Sequence, residues 1–168
     1  PETARWNQVN QTWARTERMD EEQNPHVEVS AIIRATLPNF VSVEKSVYWM
    51  GAAHMWGLYW NENTLLPTGE ELKADRIFKA DSGWQSFLAA RAFENIEPQP
   101  GDLEVTPGLI ENLVQEPESW TIAADTLTVN VDPDSSYGRG YPDTDVVYAW
   151  RDLKPYLRSD LPIKLNLN

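Results

Sequence analysis

Three runs of alternating apolar and polar residues follow one another with almost nothing between them. In the first, residues 26 to 36, Val27, Val29, Ala31, Ile33 and Ala35 fall on every second position. In the second, from about Phe40 to Met50, Val41, Val43, Val47 and Trp49 share what reads as the inner face, with Glu44 and Ser46 opposite. The third resumes after Gly51 to Ala53 with Trp56, Leu58 and Trp60. A period of two is the period of a strand. Alternating runs joined by short connections read as antiparallel hairpins. The stretch "VYWMGAAHMWGLYW" is therefore first of all a hairpin, and strand geometry alone should bury about half of its aromatics.

The rest of the chain inserts helices between strands. Residues 3 to 22 read as a helix with Trp6, Val9 and Trp13 on one stripe, ended by Pro25. "LLPTGEEL" is a turn punctuated by Pro67 and Gly69. A helix follows Ser82, which has capping-box spacing to Gln85, and draws on Phe87, Leu88, Phe93 and Ile96 for apolar contact. "PQPGD" closes that unit. Thr106 and Pro107 form an N-cap and first-turn pair opening a short helix through Leu109, Ile110 and Leu113. Two more strands are expected, near Ser119 to Val131 with a hairpin through Ala124 and Asp125, and near Val146 to Trp150. A last short helix is expected at about Asp152 to Leu157, and the tail to Asn168 has no clear state. Clustered strands with inserted helices predict an α+β fold: an antiparallel sheet with helices packed on it.

Composition narrows the function. The chain has 168 residues, 41% hydrophobic and 24% charged, which suits one domain or one domain with an arm. The net charge of −12 argues against nucleic acid as a partner, since nothing here replaces phosphate counterions. It favours cationic partners, or serves only to keep the protein in solution. The absence of cysteine excludes disulfides, thiolate metal sites and cysteine nucleophiles. There is no run of 18 apolar residues to span a bilayer. The chain begins at Pro1 without an initiator Met, as a processed product would. Membrane contact is expected only through an anchor outside this chain.

Several residues carry candidate chemistry. His54 is expected to be a turn histidine bonded to backbone, because no second nearby ligand and no nucleophile elbow accompanies it. Trp56 and Trp60 fall on one strand face and Tyr59 on the other, so one face is core and the other is open to a partner. In "DPDSSYGRGYPDTD", Asp132, Asp134, Ser136 and Asp143 match parts of a calcium-loop spacing. Tyr137 stands where that loop wants Gly, however, and Asp replaces its bidentate Glu, so no metal site is expected. The segment reads better as a binding loop, with Tyr137, Arg139 and Tyr141 of the types that carry interface energy. The acidic groups "DEE" at 20 to 22 and "GEEL" from Gly69 read as solvated charge rather than glycosidase carboxylates.

Three passages together resemble the bacterial DUF3298 family: "FVSVEKSVYWMGAAH", "TGEELKADRIF" and "TLTVNVDPDSSYGRGYPDTDVVYAWRDLKPYL". They cover residues 40 to 157 in the family's order. Residues 1 to 36 resemble the closing helix and strand of a DUF4163-type domain, giving an arm over 1–36 and a DUF3298-like domain over 37–168. The resemblance implies an extracytoplasmic location, in the periplasm or at the cell surface. It attaches no catalytic residues and no cofactor. In RsiV-like anti-sigma factors this pair of domains recognises lysozyme. By that resemblance the chain is expected to be a non-enzymatic binding or sensing domain for a lysozyme-like cationic protein. Asp134, Tyr137, Arg139, Tyr141, Asp143, His54 and Trp56 are then its candidate contact residues. The alternative is a cell-envelope protein that binds or hydrolyses peptidoglycan glycan with acidic residues.

Overall fold

The computed structural model describes residues 26–51, 54–96, 106–131 and 144–168, side chains at 26, 49–51 and 54–56 excepted. Three long strands come first: β1 (His26–Leu37), β2 (Phe40–Gly51) and β3 (His54–Leu65). With the two-residue β4 (Glu70–Glu71) they form one sheet in the order β1-β2-β3-β4. A second sheet, in the order β5-β6-β7, is built of β5 (Trp120–Ile122), β6 (Thr126–Val131) and β7 (Thr144–Ala149). Among the described residues four α-helices complete the α+β fold: α1 (Ala74–Ile77), α2 (Trp84–Asn95), α3 (Pro107–Val114) and α4 (Trp150–Leu153). The helix expected over 3–22 and the "PQPGD" connection lie outside the described residues. The chain forms two compact units, Pro1–Ser30 with Ser46–Tyr59, and Ala31–Lys45 with Trp60–Asn168.

The larger unit owes its core to strict alternation in the second sheet. Trp120 and Ile122, then Leu127, Val129 and Val131, then Val146 and Tyr148 are all buried, while Val147 between the last two is exposed. Register follows from the pairings Trp120↔Val129 and Val129↔Val146, which bring inward residues side by side. The β5–β6 hairpin turns through Ala123 to Asp125, close to the expected place. Helix α3 starts where Thr106 and Pro107 dictate: the Thr106 hydroxyl accepts from the Leu109 N–H at 3.3 Å. Such a cap contributes about 1 kcal/mol.

Helix α2 starts differently from the sequence expectation. Gly83, at φ 80°, is its N-cap, and Ser82 donates its hydroxyl to Lys79 O at 2.9 Å instead of closing a capping box. A left-handed residue at that place lets Trp84 turn inward, where its ring stacks on Phe78 at 4.4 Å. The buried stripe is accordingly Trp84, Leu88, Ala89 and Ala92, and Phe93 faces out. The C-terminal tail has no regular element, yet it is strapped down. Ile163 is buried, Asn166 N–H donates to Ala124 O at 2.8 Å, and Asn39 Nδ2 donates to Pro162 O at 2.6 Å.

In the larger unit the first sheet buries the face that reads as polar. Phe40, Ser42, Asn61, Asn63 and Leu65 are buried, whereas Val41 and Val43, expected on the inner face, are only half-buried. Hydrogen bonding explains the reversal. Asn63 Nδ2 donates to Pro117 O at 3.0 Å and to Trp120 O at 2.8 Å, and Asn61 Oδ1 accepts from Thr121 Oγ1 at 3.1 Å. On the outward side Lys45 is buried against Glu62, its ion-pair partner at 2.5 Å.

Two outcomes are expected. Trp120→Ala removes a ring that meets Phe78 and Trp84 edge-on at 5.7 and 5.9 Å, and it orphans Val114 O, the acceptor of Trp120 Nε1. Urea unfolding should show a loss of about 3–5 kcal/mol. Burial pushes the Tyr148 phenol above its ordinary value, with Arg91 over the ring at 5.5 Å opposing the shift. A raised folded-state value means the contribution is full below the ordinary phenol range and is lost as pH rises through it, from about pH 10. The urea midpoint should therefore fall above that pH, and Tyr148→Phe should flatten the fall.

Candidate binding surface

The expected binding loop joins two paired strands. Val131 pairs with Thr144, and Asn130 Nδ2 donates to Asp145 Oδ1 at 2.9 Å, so β6 and β7 are held together up to the point where residues 132–143 begin. Asp134, Tyr137, Arg139, Tyr141 and Asp143 all belong to that connection and lie outside the described residues. His54 opens β3 and Trp56 follows within it; their backbone is strand, and their side chains too lie outside the described residues. Among the described residues no group of three or more His, Asp or Glu could hold a metal ion.

The described surface with the clearest chemistry is the other face of the same hairpin, in the smaller unit. The hydroxyls of Ser30 and Ser46 lie 2.8 Å apart, so these side chains leave β1 and β2 on one face as an opposed pair. Two residues along each strand from that bond, Glu28 and Tyr48 leave the neighbouring strands on the same face. Across the next strand boundary stands Gly57. A Cβ at Gly57 would come within 2.7 Å of Tyr48 Cδ1 and 2.8 Å of Cε1, so the phenol ring lies directly against the β3 backbone. A row Glu28–Tyr48–Gly57 thus crosses three strands.

Val47 is buried, while Tyr48 keeps 44% of its surface exposed, and Glu28 is exposed. Among the described residues neither Glu28 nor Tyr48 has a side-chain hydrogen bond, ion pair or ring contact. Tyr59 shares their face and is half-buried. Sequence reasoning set Tyr59 on the face opposite Trp56 and Trp60 without deciding which face is core, counted Tyr48 among the hairpin aromatics that could meet a partner, and passed over Glu28. The one local signal was Gly57, a glycine inside a strand, which marks a close approach to the backbone.

Elsewhere among the described residues several charged groups are paired. Arg34 makes a bidentate pair with Glu44 at 2.7 and 2.8 Å, and this bond raises its pKa. Arg158 does the same with Asp160, both contacts at 2.9 Å, lowering the Asp160 pKa. Arg91 and Arg151 both approach Asp152, at 3.8 and 3.6 Å.

No protein-family model matches the chain, and no curated protein matches it. Solved structures do. A DUF3298 family member from Bacteroides fragilis superposes with a TM-score of 0.58 at 13% identity, over 92% of this chain and 64% of that one. A DUF3298 family protein from Pseudomonas aeruginosa gives a TM-score of 0.57 at 13% identity, over 92% of this chain and 71% of that one. The chain therefore has the fold seen in DUF3298 structures, and it spans about two thirds of their length.

The ring's seat on Gly57 is testable. The Gly57 Hα resonances should be shifted by the Tyr48 ring current, and Tyr48→Leu should return them toward ordinary strand values. Gly57→Ala should displace the ring at a cost of about 1 kcal/mol, since the ring can swing into solvent.

Proposed function

We propose, from the DUF3298 fold and the charge of the chain, that this is a non-enzymatic binding or sensing domain that works outside the cytoplasm. Its partner is a cationic protein of the lysozyme kind. The carrying observation is the balance of free charge. The chain has 26 acidic against 14 basic residues. In the described residues Arg34, Lys45, Arg91, Arg151 and Arg158 are all engaged by acids of the same chain. Lys73, Arg76, Lys79, Lys154 and Lys164 are exposed and make no ion pair among the described residues, but the unpaired carboxylates outnumber them, and that excess speeds encounter with a basic protein and turns anionic ones away.

In this reading the β6–β7 connection supplies contacts through Tyr137, Arg139 and Tyr141, flanked by Asp134 and Asp143, and His54 and Trp56 are further candidate contacts on the β2–β3 hairpin. Any tie to a membrane runs through an anchor outside this chain. A second reading, recognition of peptidoglycan glycan, draws on the exposed Tyr48 ring, since aromatic faces also stack on sugars. It needs no carboxylate chemistry.

Calorimetry of the domain with a c-type lysozyme at low and moderate salt separates the two. Submicromolar binding that survives moderate salt, with lysozyme activity lost, is expected, and Tyr137→Ala and Arg139→Ala should each weaken it about tenfold or more, as interface anchors do. Binding that moderate salt abolishes would reduce the interaction to unspecific charge attraction. Binding of peptidoglycan fragments without lysozyme binding would transfer the case to the glycan reading.

A further inference from the structure

We propose that Glu28 and Tyr48 form a receptor subsite for an arginine side chain of the partner. The guanidinium stacks on the outward face of the Tyr48 ring and donates its paired N–H groups to the Glu28 carboxylate. The inference rests on the reading of a cationic protein partner and gives it a place on the fold.

Three observations carry it. The ring is seated against the Gly57 backbone, where a Cβ would intrude to 2.7 Å, so one face is spent on the sheet and the other is presented to solvent. A carboxylate, Glu28, stands on the same face of the neighbouring strand, exposed and without an ion pair among the described residues. The hydroxyls next along the same face, Ser30 and Ser46, are bonded to each other at 2.8 Å. A sugar stacked on Tyr48 would need polar groups around the ring to bind its hydroxyls, and here the nearest pair is already engaged. A guanidinium needs only what is present: a π face and a fork-shaped acceptor. Lysine would gain less, because its ammonium is a compact point charge that neither stacks nor forks. The overall charge of −12 adds attraction for a basic chain and repulsion for a second copy of this one.

The probe is an acetylated, amidated tetra-arginine peptide, compared with its tetra-lysine and tetra-citrulline counterparts. Citrulline keeps the planar shape and removes the charge. Binding is followed by titration calorimetry and by the NMR signals of the Tyr48 ring and Gly57 Hα. The arginine peptide should move those signals and the citrulline peptide should not, with lysine weaker than arginine. Tyr48→Leu and Glu28→Gln should each weaken the arginine peptide about three- to fivefold, the scale of one exposed cation–π or ion-pair contact. Glu71→Gln, the same charge change on exposed β4, should leave affinity within about 1.5-fold, as a distant screened charge does. All three variants alter exposed side chains, and circular dichroism with an unchanged melting point verifies their folding. Unmoved Tyr48 signals, equal weakening by all three substitutions, or a chitotetraose response in place of the arginine response would overturn the subsite. If lysozyme fails to bind while the arginine peptide still acts through Tyr48 and Glu28, the lysozyme reading falls and the subsite stands. If lysozyme binds wild type, Tyr48→Leu and Glu28→Gln alike, the subsite falls and the lysozyme reading stands.

Discussion

Trp120 is the residue on which the larger unit converges. Its indole N–H donates to Val114 O, at the end of α3, at 2.8 Å. Its ring takes Phe78 and Trp84 edge-on, which fixes the start of α2 and the segment after α1. Its carbonyl accepts from Asn63 at 2.8 Å, which ties β3 of the first sheet to β5 of the second. A single side chain and its backbone thus join two helices and two sheets. Because the ring is fully buried and its N–H is satisfied, no other residue type fills that volume and keeps the bond.

The Asn63 contact also explains why the first sheet turns a polar face inward. Asn61 and Asn63 can reach the carbonyls of residues 117 to 120 only if that face of β3 is buried, and the strand's apolar neighbours are then turned toward the outside. The arrangement is not free of cost. Ser42 Oγ and Asn63 Oδ1 are buried without a partner, and each such group costs about 1–3 kcal/mol. Directional bonds are therefore specifying this sheet where burial of valine would ordinarily do so. The α+β architecture tolerates the cost because the second sheet and the helices, from Trp84 and Leu88 to Tyr148 and Trp150, supply most of the apolar core.

What the sequence disclosed follows from the range of the forces involved. The strands, the turn at Pro67 to Gly69, the Thr106 cap and the hairpin through Ala124 and Asp125 depend on neighbours within a few residues, and all were readable. The capping box at Ser82 was misleading because Trp84 has a better use for that turn, stacked on Phe78, and tertiary packing overrode the local motif. The inner face of β2 was misjudged for a similar reason: hydrophobicity ranks valine above serine, but the Asn63 bonds are made across 54 and 57 residues of chain. The Glu28–Tyr48 pair was hidden more deeply. Its existence depends on which faces of β1 and β2 coincide, which the Ser30–Ser46 bond displays and no single-strand pattern encodes.

Charge and geometry act here at different ranges, and that difference matters for the proposed binding role. The field of twelve excess negative charges reaches outward but fades beyond about 8 Å at physiological salt. It can raise the encounter rate with a basic protein, and it cannot choose between two basic proteins of similar charge. Selection has to come from contacts at van der Waals distance whose shape is fixed before the partner arrives. Tyr48 meets that requirement because Gly57 gives its ring a flat seat, so little side-chain freedom is left to lose on binding. A flexible glutamate alone would bind any cation weakly. The same glutamate on one face with a seated ring favours a planar cation over a spherical one, and this is where an otherwise generic acidic surface acquires a preference.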